Sequence, residues 1–244
     1  VGMAGAAVMC AKAAVKTGAG LTTVATVPFA ANALAVGVPE AMSVLCEEKN
    51  GCVSGNSLCE IMENAKNKNA ILMGAGMRKS EDTKRILESV LKETDCIKVI
   101  DADGLNVLAE NMEFLREAKG EIVLTPHPKE FSRLCKKSVE EILKNPVLCA
   151  REFTREYDVT LVLKGAVTVI SNSEEGESLV CGDVPGMAKG GSGDVLGGII
   201  GAMCAQGQDA YSAALFGAYI NMCAGKNAQN KKGEYSMTPM DTIE

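Results

Sequence analysis

Among its ten cysteines the 244-residue chain has no CxxC pair, and it has a single histidine, His127. A structural zinc site draws on four Cys or His ligands in paired spacing, so such a site is not expected. The nearest cluster of cysteines, Cys46, Cys52 and Cys59, is spaced by six and seven residues. A chain this long with thiols this scattered is not a disulfide scaffold. Cys10, Cys149, Cys204 and Cys223 fall in helix-like apolar patterns and read as small core residues. Ten unpaired thiols fit a reducing, cytoplasmic setting. Long apolar runs are lacking too: none reaches the roughly 18 residues of a membrane span. The best stretch, residues 195–205, is short and glycine-rich. The start has no basic n-region, so no secretory signal is expected. There is no basic excess either. The chain has 25 Lys+Arg against 31 Asp+Glu, a net charge of −6, which argues against a nucleic-acid partner. No linker, repeat or low-complexity tract interrupts the sequence, so one domain is expected over residues 1–244. At 47% hydrophobic and 23% charged residues, the balance is that of a soluble globular protein.

Glycine is plentiful and concentrated. Residues 186–198 read GMAKGGSGDVLGG. Three glycines within four residues, Gly190, Gly191 and Gly193, flank Ser192 and lead to Asp194 and an apolar helical run. Such a loop lets backbone N–H groups approach an anion, and a helix starting there aims its positive end at the same point. Asp194 has no histidine beside it. It can take a proton from a group that attacks a bound phosphate, or it can be an ordinary helix-start acid.

Strand-like and helix-like segments alternate along the chain. A helix is expected over 4–17, stopped by Gly18-Ala19-Gly20. Strands are expected over 21–27, 42–45, 70–73, 97–100, 121–124 and 160–163. A weak helix is expected over 58–66 and a clear one from the Ser80 cap to about residue 92. Segments 167–170 and 178–180 read as a hairpin around a turn at 171–177. From Asp194 onward the chain reads as helical, with Asp209 as an N-cap. Apolar strands separated by helices predict an α/β fold with a mostly parallel central sheet and helices on both faces. In such sheets ligands gather beyond the carboxyl ends of the strands. Gly74-Ala75-Gly76, Asp101-Ala102-Asp103-Gly104, residues 127–130 and Lys164-Gly165 all follow strands and would share that edge. A strand normally precedes a helix placed like 4–17, so a short N-terminal segment is expected to be lacking from the sequence.

Six motifs occur in one order: GMAGAAVMCAKAAVKTGAGLTTV, GAGM, DADGLN, LTPHPKEF, LVLKGAVTVI and GMAKGGSGDVLGGIIGAM. Together they resemble the ribokinase-like superfamily and, within it, the ADP/ATP-dependent NAD(P)H-hydrate dehydratases. The resemblance spans residues 2–203. TPHPxE tied to DADGLN separates these dehydratases from vitamin and sugar kinases, which usually carry asparagine where His127 stands. Gly74-Ala75-Gly76-Met77 departs from the family's glycine-proline-glycine-leucine turn. Alanine keeps φ in the allowed region, so the turn is expected to survive. Ser192 replaces the family's threonine.

The resemblance implies repair of hydrated nicotinamide cofactors, NADH hydrate and NADPH hydrate, with ADP or ATP as co-substrate and Mg2+. The alternative is a kinase of the same superfamily acting on a sugar or vitamin-type alcohol. Asp194 would be the base and also touch substrate. Gly190, Gly191, Ser192 and Gly193 would cradle the phosphoryl group. Lys164, Gly165, Ala166, Val167 and Thr168 match the family's AMP-binding segment; without the resemblance they read as a turn with a solvated lysine. Ala6, Gly76 and His127 match its hydrate-binding positions. Glu130 either orders magnesium-bound water or serves as a first-turn helix acid. Asp101, Asp103 and Asn106 either position substrate or metal-bound water or cap the next helix. The family also implies a homo-oligomer and, in some members, a fused or partner epimerase.

Overall fold

The computed structural model describes residues 3–244. The chain opens with α1 (Ala4–Thr17), β1 (Thr23–Thr26), α2 (Pro28–Gly37) and β2 (Met42–Leu45). A small hairpin, β3 (Glu48–Lys49) and β4 (Cys52–Val53), leads to α3 (Leu58–Ala65), β5 (Ala70–Met73) and α4 (Glu81–Glu93). Then come β6 (Ile97–Ile100), α5 (Asp103–Leu108), α6 (Glu113–Arg116), β7 (Ile122–Leu124), α7 (Pro128–Cys135), α8 (Val139–Lys144) and α9 (Pro146–Tyr157). The last third holds β8 (Thr160–Leu163), β9 (Val167–Asn172), β10 (Gly176–Cys181), α10 (Ser192–Ala205), α11 (Ala210–Lys232) and α12 (Pro239–Ile243).

Six strands form the central sheet in the order β5-β6-β7-β8-β9-β10. From β5 to β8 all pairs are parallel, because each crossover contains helix. Short turns on either side of β9 force it antiparallel to both neighbours. Alternate residues face opposite layers. Ile100, Leu124, Leu161 and Leu163 join a core with α4, α5, α7 and α9. Val99, Val123, Val162 and Ile170 pack beneath α10 and α11. The expected α/β sheet with helices on both faces is what forms.

Local chemistry explains the boundaries. Gly18 closes α1 in the left-handed region at φ 104°. The Ser80 side chain caps α4 by accepting from the Thr83 N–H, and Asp209 caps α11 by accepting from Ser212. Residues 28–37, which carry no amphipathic stripe, form α2 with Pro28 at its first turn, where the missing N–H costs nothing. β1 and β2 pair with each other as a separate parallel sheet. A cavity of about 330 Å³ lies between β1 and β5, roofed by α1 and α10. Helices α1 and α10 approach closely at Gly198: a Cβ there would stand 2.4 Å from the Cys10 carbonyl oxygen.

The carboxyl edge carries a strongly unusual backbone at Ala102. Ala102 sits at φ 49°, ψ −116°, a region an L-residue with a Cβ enters at a cost of about 1–3 kcal/mol. Glycine enters it freely, at an entropic cost of roughly 0.5–1 kcal/mol. Ala102→Gly is therefore expected to stabilise the fold by about 1 kcal/mol, seen as a thermal midpoint about 2–4 °C higher.

Candidate active site

Four strand ends and two helix starts converge on one edge. Helix α10 begins at Gly191, which sits at φ 103° and has no side-chain cap. The positive φ favours glycine there, and a Cβ on Gly191 would stand 2.6 Å from the flexible Met9 Sδ of α1. The first-turn N–H groups of Gly193 and Asp194 have no intrahelical partner by helix geometry. Donors of this kind can hold an anion, the task expected of Gly190, Gly191, Ser192 and Gly193. The loop is moored from behind, since Lys189 Nζ donates to the Tyr235 carbonyl at 2.7 Å and to that of Met237 at 2.5 Å.

Asp194 projects from this first turn, half-buried. Burial and, next, the Asp101 carboxylate push its carboxyl up to about 6, while Lys164 pulls it down. Lys164 follows β8 and donates from Nζ to Asp101 Oδ1 at 2.8 Å. Both groups lie against Gly193, where a Cβ would be 3.3 Å from Nζ and 3.4 Å from Asp101 Oδ2. Gly165 and Ala166 are exposed on the β8–β9 turn, Val167 is exposed where β9 begins, and Thr168 after it is half-buried. Cys10, read from sequence as a core residue, lies half-buried under the site. Burial keeps its thiol neutral, helped by Asp194 and Asp101. Its apolar setting hides that position in the sequence.

Of the residues expected to line a hydrate site, Gly76 and Ala6 lie side by side, and His127 follows β7. Gly76 lies at φ 69°, and a Cβ on it would be 3.5 Å from Ala6 Cβ and 3.1 Å from the Met3 carbonyl. The expected turn survives, with the Met77 N–H donating to Gly74 at 3.2 Å. His127 is half-exposed and caps α7. Its Nδ1 accepts from the N–H groups of Lys129, at 3.1 Å, and Glu130, at 3.3 Å. An accepting Nδ1 carries no proton, so Nε2–H is the ring's donor. Glu130 Oε2 accepts from the His127 N–H at 2.9 Å, which completes a capping box. Glu130 is buried, and its Oε1 lies 3.6 Å from His127 Nε2. Asp103 Oδ2 accepts from the Arg78 N–H at 2.8 Å, and Asn106 Oδ1 from Arg133 Nη1 at 2.6 Å. Asp103 thus ties the loop after β5 to α5, and Asn106 ties α5 to α7. Among the described residues no three His, Cys, Asp or Glu side chains cluster to hold a metal ion.

The profile of the NAD(P)H-hydrate dehydratase family matches residues 1–244. The chain belongs to that family. It is 34% identical over 244 residues to the bifunctional NAD(P)H-hydrate repair enzyme Nnr of Moorella thermoacetica, a match covering 100% of this chain and 46% of that protein. It is 32% identical over 239 residues to the ADP-dependent (S)-NAD(P)H-hydrate dehydratase of Neisseria meningitidis, covering 95% of this chain and 75% of that one. The chain spans about half the length of the bifunctional relatives it matches. In fold it resembles a ribokinase-like superfamily protein of Enterococcus faecalis, with a TM-score of 0.82 and 26% identity, over 98% and 79% of the two chains. It also resembles the Bacillus subtilis ADP/ATP-dependent NAD(P)H-hydrate dehydratase co-crystallized with ATP and Mg2+. The TM-score is 0.83 at 24% identity, over 99% and 82% of the two chains.

In this dehydratase-family site, Asp194 makes stability depend on pH. Its carboxyl titrates near 6 in the fold against an ordinary value of 3.8. The folded chain keeps a proton that the unfolded chain releases first. The stability this confers below about pH 4 is therefore lost as pH rises through about 6. Asp194→Asn is expected to raise stability at pH 7 by about 1–2 kcal/mol, allowing for solvent at this half-buried position. Thermal melts of the two proteins should converge near pH 4.

Proposed function

We propose that the chain dehydrates the S-epimer of NAD(P)H hydrate, NADH hydrate or NADPH hydrate, at the expense of ADP or ATP. The observation that carries this reading is a half-buried carboxyl titrating near 6 at the mouth of an uncapped, glycine-lined helix N-terminus. Hydroxide leaves a carbon poorly, and phosphate leaves well. Asp194 takes the proton of the ring hydroxyl, and that oxygen bonds to the terminal phosphorus as the bridging P–O bond breaks. The C–O bond then breaks, phosphate departs with the electron pair, and the ring double bond reforms as a ring proton is lost. The products are NAD(P)H, phosphate, and AMP or ADP.

Each part of the edge supports one task. The N–H groups of the 190–193 loop and the α10 dipole oppose the charge on the migrating phosphoryl group, at roughly 3–4 kcal/mol per preorganised donor. Lys164, Gly165, Ala166, Val167 and Thr168, with Gly193, would bind the nucleotide. Ala6, Gly76 and the His127 Nε2–H would line the hydrate site, with Asp103 and Asn106 behind them. Mg2+ commonly keeps several waters and binds through one or two carboxylates plus phosphates. The donor set here fits an ion that arrives on the nucleotide, with Glu130 Oε1 reaching it through water. Bound there, the ion neutralises phosphate charge.

The wider setting belongs to the same reading. The half-length match to bifunctional repair enzymes supports an epimerase as partner or fused domain. The exposed stripe of Phe216, Tyr219 and Ile220 on α11 supports a homo-oligomer. Ten free cysteines support a cytoplasmic location. The cavity between the open edges of β1 and β5 supports the expectation of one further strand in this single domain.

The deciding assay mixes the protein, magnesium, ADP or ATP, and NADH hydrate, and follows dihydronicotinamide absorbance. NADH and phosphate should appear in equal amounts, and only with nucleotide present. Phosphorylated sugars or vitamin alcohols, with the hydrate unchanged, would establish a superfamily kinase instead. Asp194→Asn should keep nucleotide affinity and lose about 10²–10⁴-fold in turnover; turnover within threefold of the parent contradicts its role as base.

His127→Ala should weaken hydrate binding far more than nucleotide binding in calorimetric titrations. It should also cost about 1 kcal/mol of stability through the lost α7 cap. Equal weakening of both ligands would reduce His127 to its capping role.

A further inference from the structure

The base reading leaves Asp101 unused, although the backbone is bent to place it. Its residue is 3% exposed, and Lys164 is its ion-pair partner. The Asp101 N–H donates to the Met73 carbonyl at 3.1 Å, and its own carbonyl accepts from Gly104 at 3.0 Å. That carbonyl occupies the space of a side chain at position 74: a Cβ on Gly74, at φ 115°, would stand 1.8 Å from it. The next residue is the strained Ala102. Asp101 and Asp103, on either side of it, therefore point to different work, one to Lys164 and the other to the Arg78 N–H. Strain of this type persists where surrounding structure enforces it, and it clusters at active sites. A salt bridge serving the core alone requires no such distortion.

We propose that Asp101 is a positioning residue of the reaction, which holds the Lys164 ammonium against Gly193 and sets the charge beside Asp194. The role rests on the reading of Asp194 as base. A free ammonium at this place would pair with Asp194 and weaken it as a base. Asp101 competes for that ammonium, and its own negative charge adds to the effect of burial on Asp194. The other titratable neighbours leave this balance undisturbed. Burial keeps the Cys10 thiol neutral. On α12, Asp241 accepts from the Thr238 N–H and pairs with Lys232.

The two halves of the pair should act on Asp194 in opposite directions, whereas a bridge with no hold on the Asp194 charge would move it in neither variant. The readout is the Asp194 carboxyl titration, followed by carbon NMR without substrate in the parent, Asp101→Asn and Lys164→Met. The parent midpoint is expected near 6. Asp101→Asn should lower it by about one pH unit, and Lys164→Met should raise it. Coincident midpoints in all three proteins, or shifts in the same direction, overturn the proposal. If Asp101→Asn fails to fold, the upward shift in Lys164→Met still decides, and an unmoved midpoint there overturns it. Hydrate turnover by the parent tests the base reading separately. Opposed shifts in a protein that turns over no hydrate would retire that reading and leave the effect of the pair on Asp194 standing.

Discussion

Two forces of opposite sign meet on the Asp194 carboxylate. Its place in the first turn of α10 favours the anion, by about 0.3–1 kcal/mol for an exposed acid and up to about 2 in partly buried geometry. Burial, with Asp101 adding to it, disfavours the anion and carries the carboxyl from 3.8 to about 6. A shift of that size corresponds to about 3 kcal/mol before solvent is allowed for. Burial outweighs the dipole, and the rest of the site follows from that balance. Helix α1 lies directly on α10, a close approach that Gly198 allows. Gly191 leaves the helix end without a side-chain cap, so its N–H groups stay available to an anion other than Asp194.

The edge is also a set of interlocked supports. Gly74 must be glycine so that the Asp101 carbonyl can sit beside it, and Gly76 so that the start of α1 can approach. His127 caps α7 and is proposed to touch the hydrate with the same ring. Its Nδ1 is engaged by the backbone of α7, which orients Nε2. A residue with both duties loses orientation and contact together when truncated, so stability and ligand affinity are measured on the same variant.

Much of this organisation was readable from periodicity and punctuation. Helix 4–17 with its glycine stop, the strands at 70–73, 97–100 and 160–163, and the Ser80 and Asp209 caps form as expected. The hairpin is tighter than expected, because Asn172 Oδ1 accepts from the N–H of Glu174 and extends both strands toward the turn. Pairings that depend on distant segments were not readable. β1 and β2 form a sheet of their own, and α2 lacks the apolar stripe that would mark it. Cys223, expected in the core, is half-buried. In the site, residue type and spacing pointed to Asp194 and its loop. The pairing of Asp101 with Lys164, and the capping box of His127 with Glu130, depend on where the strand ends meet. An H-x-x-E sequence is an uncommon form of that box.

Burial poises the Asp194 carboxyl near neutral pH, the state its proposed role as base requires. The most direct measurement is the pH dependence of kcat/KM for nucleotide-dependent NADH formation from NADH hydrate. Activity is expected to rise with pH along a single acid limb centred near 6, and Asp194→Asn is expected to lose that limb. A rate that is flat from about pH 5 to 8, or an acid limb near the ordinary carboxyl value of about 4, would contradict it.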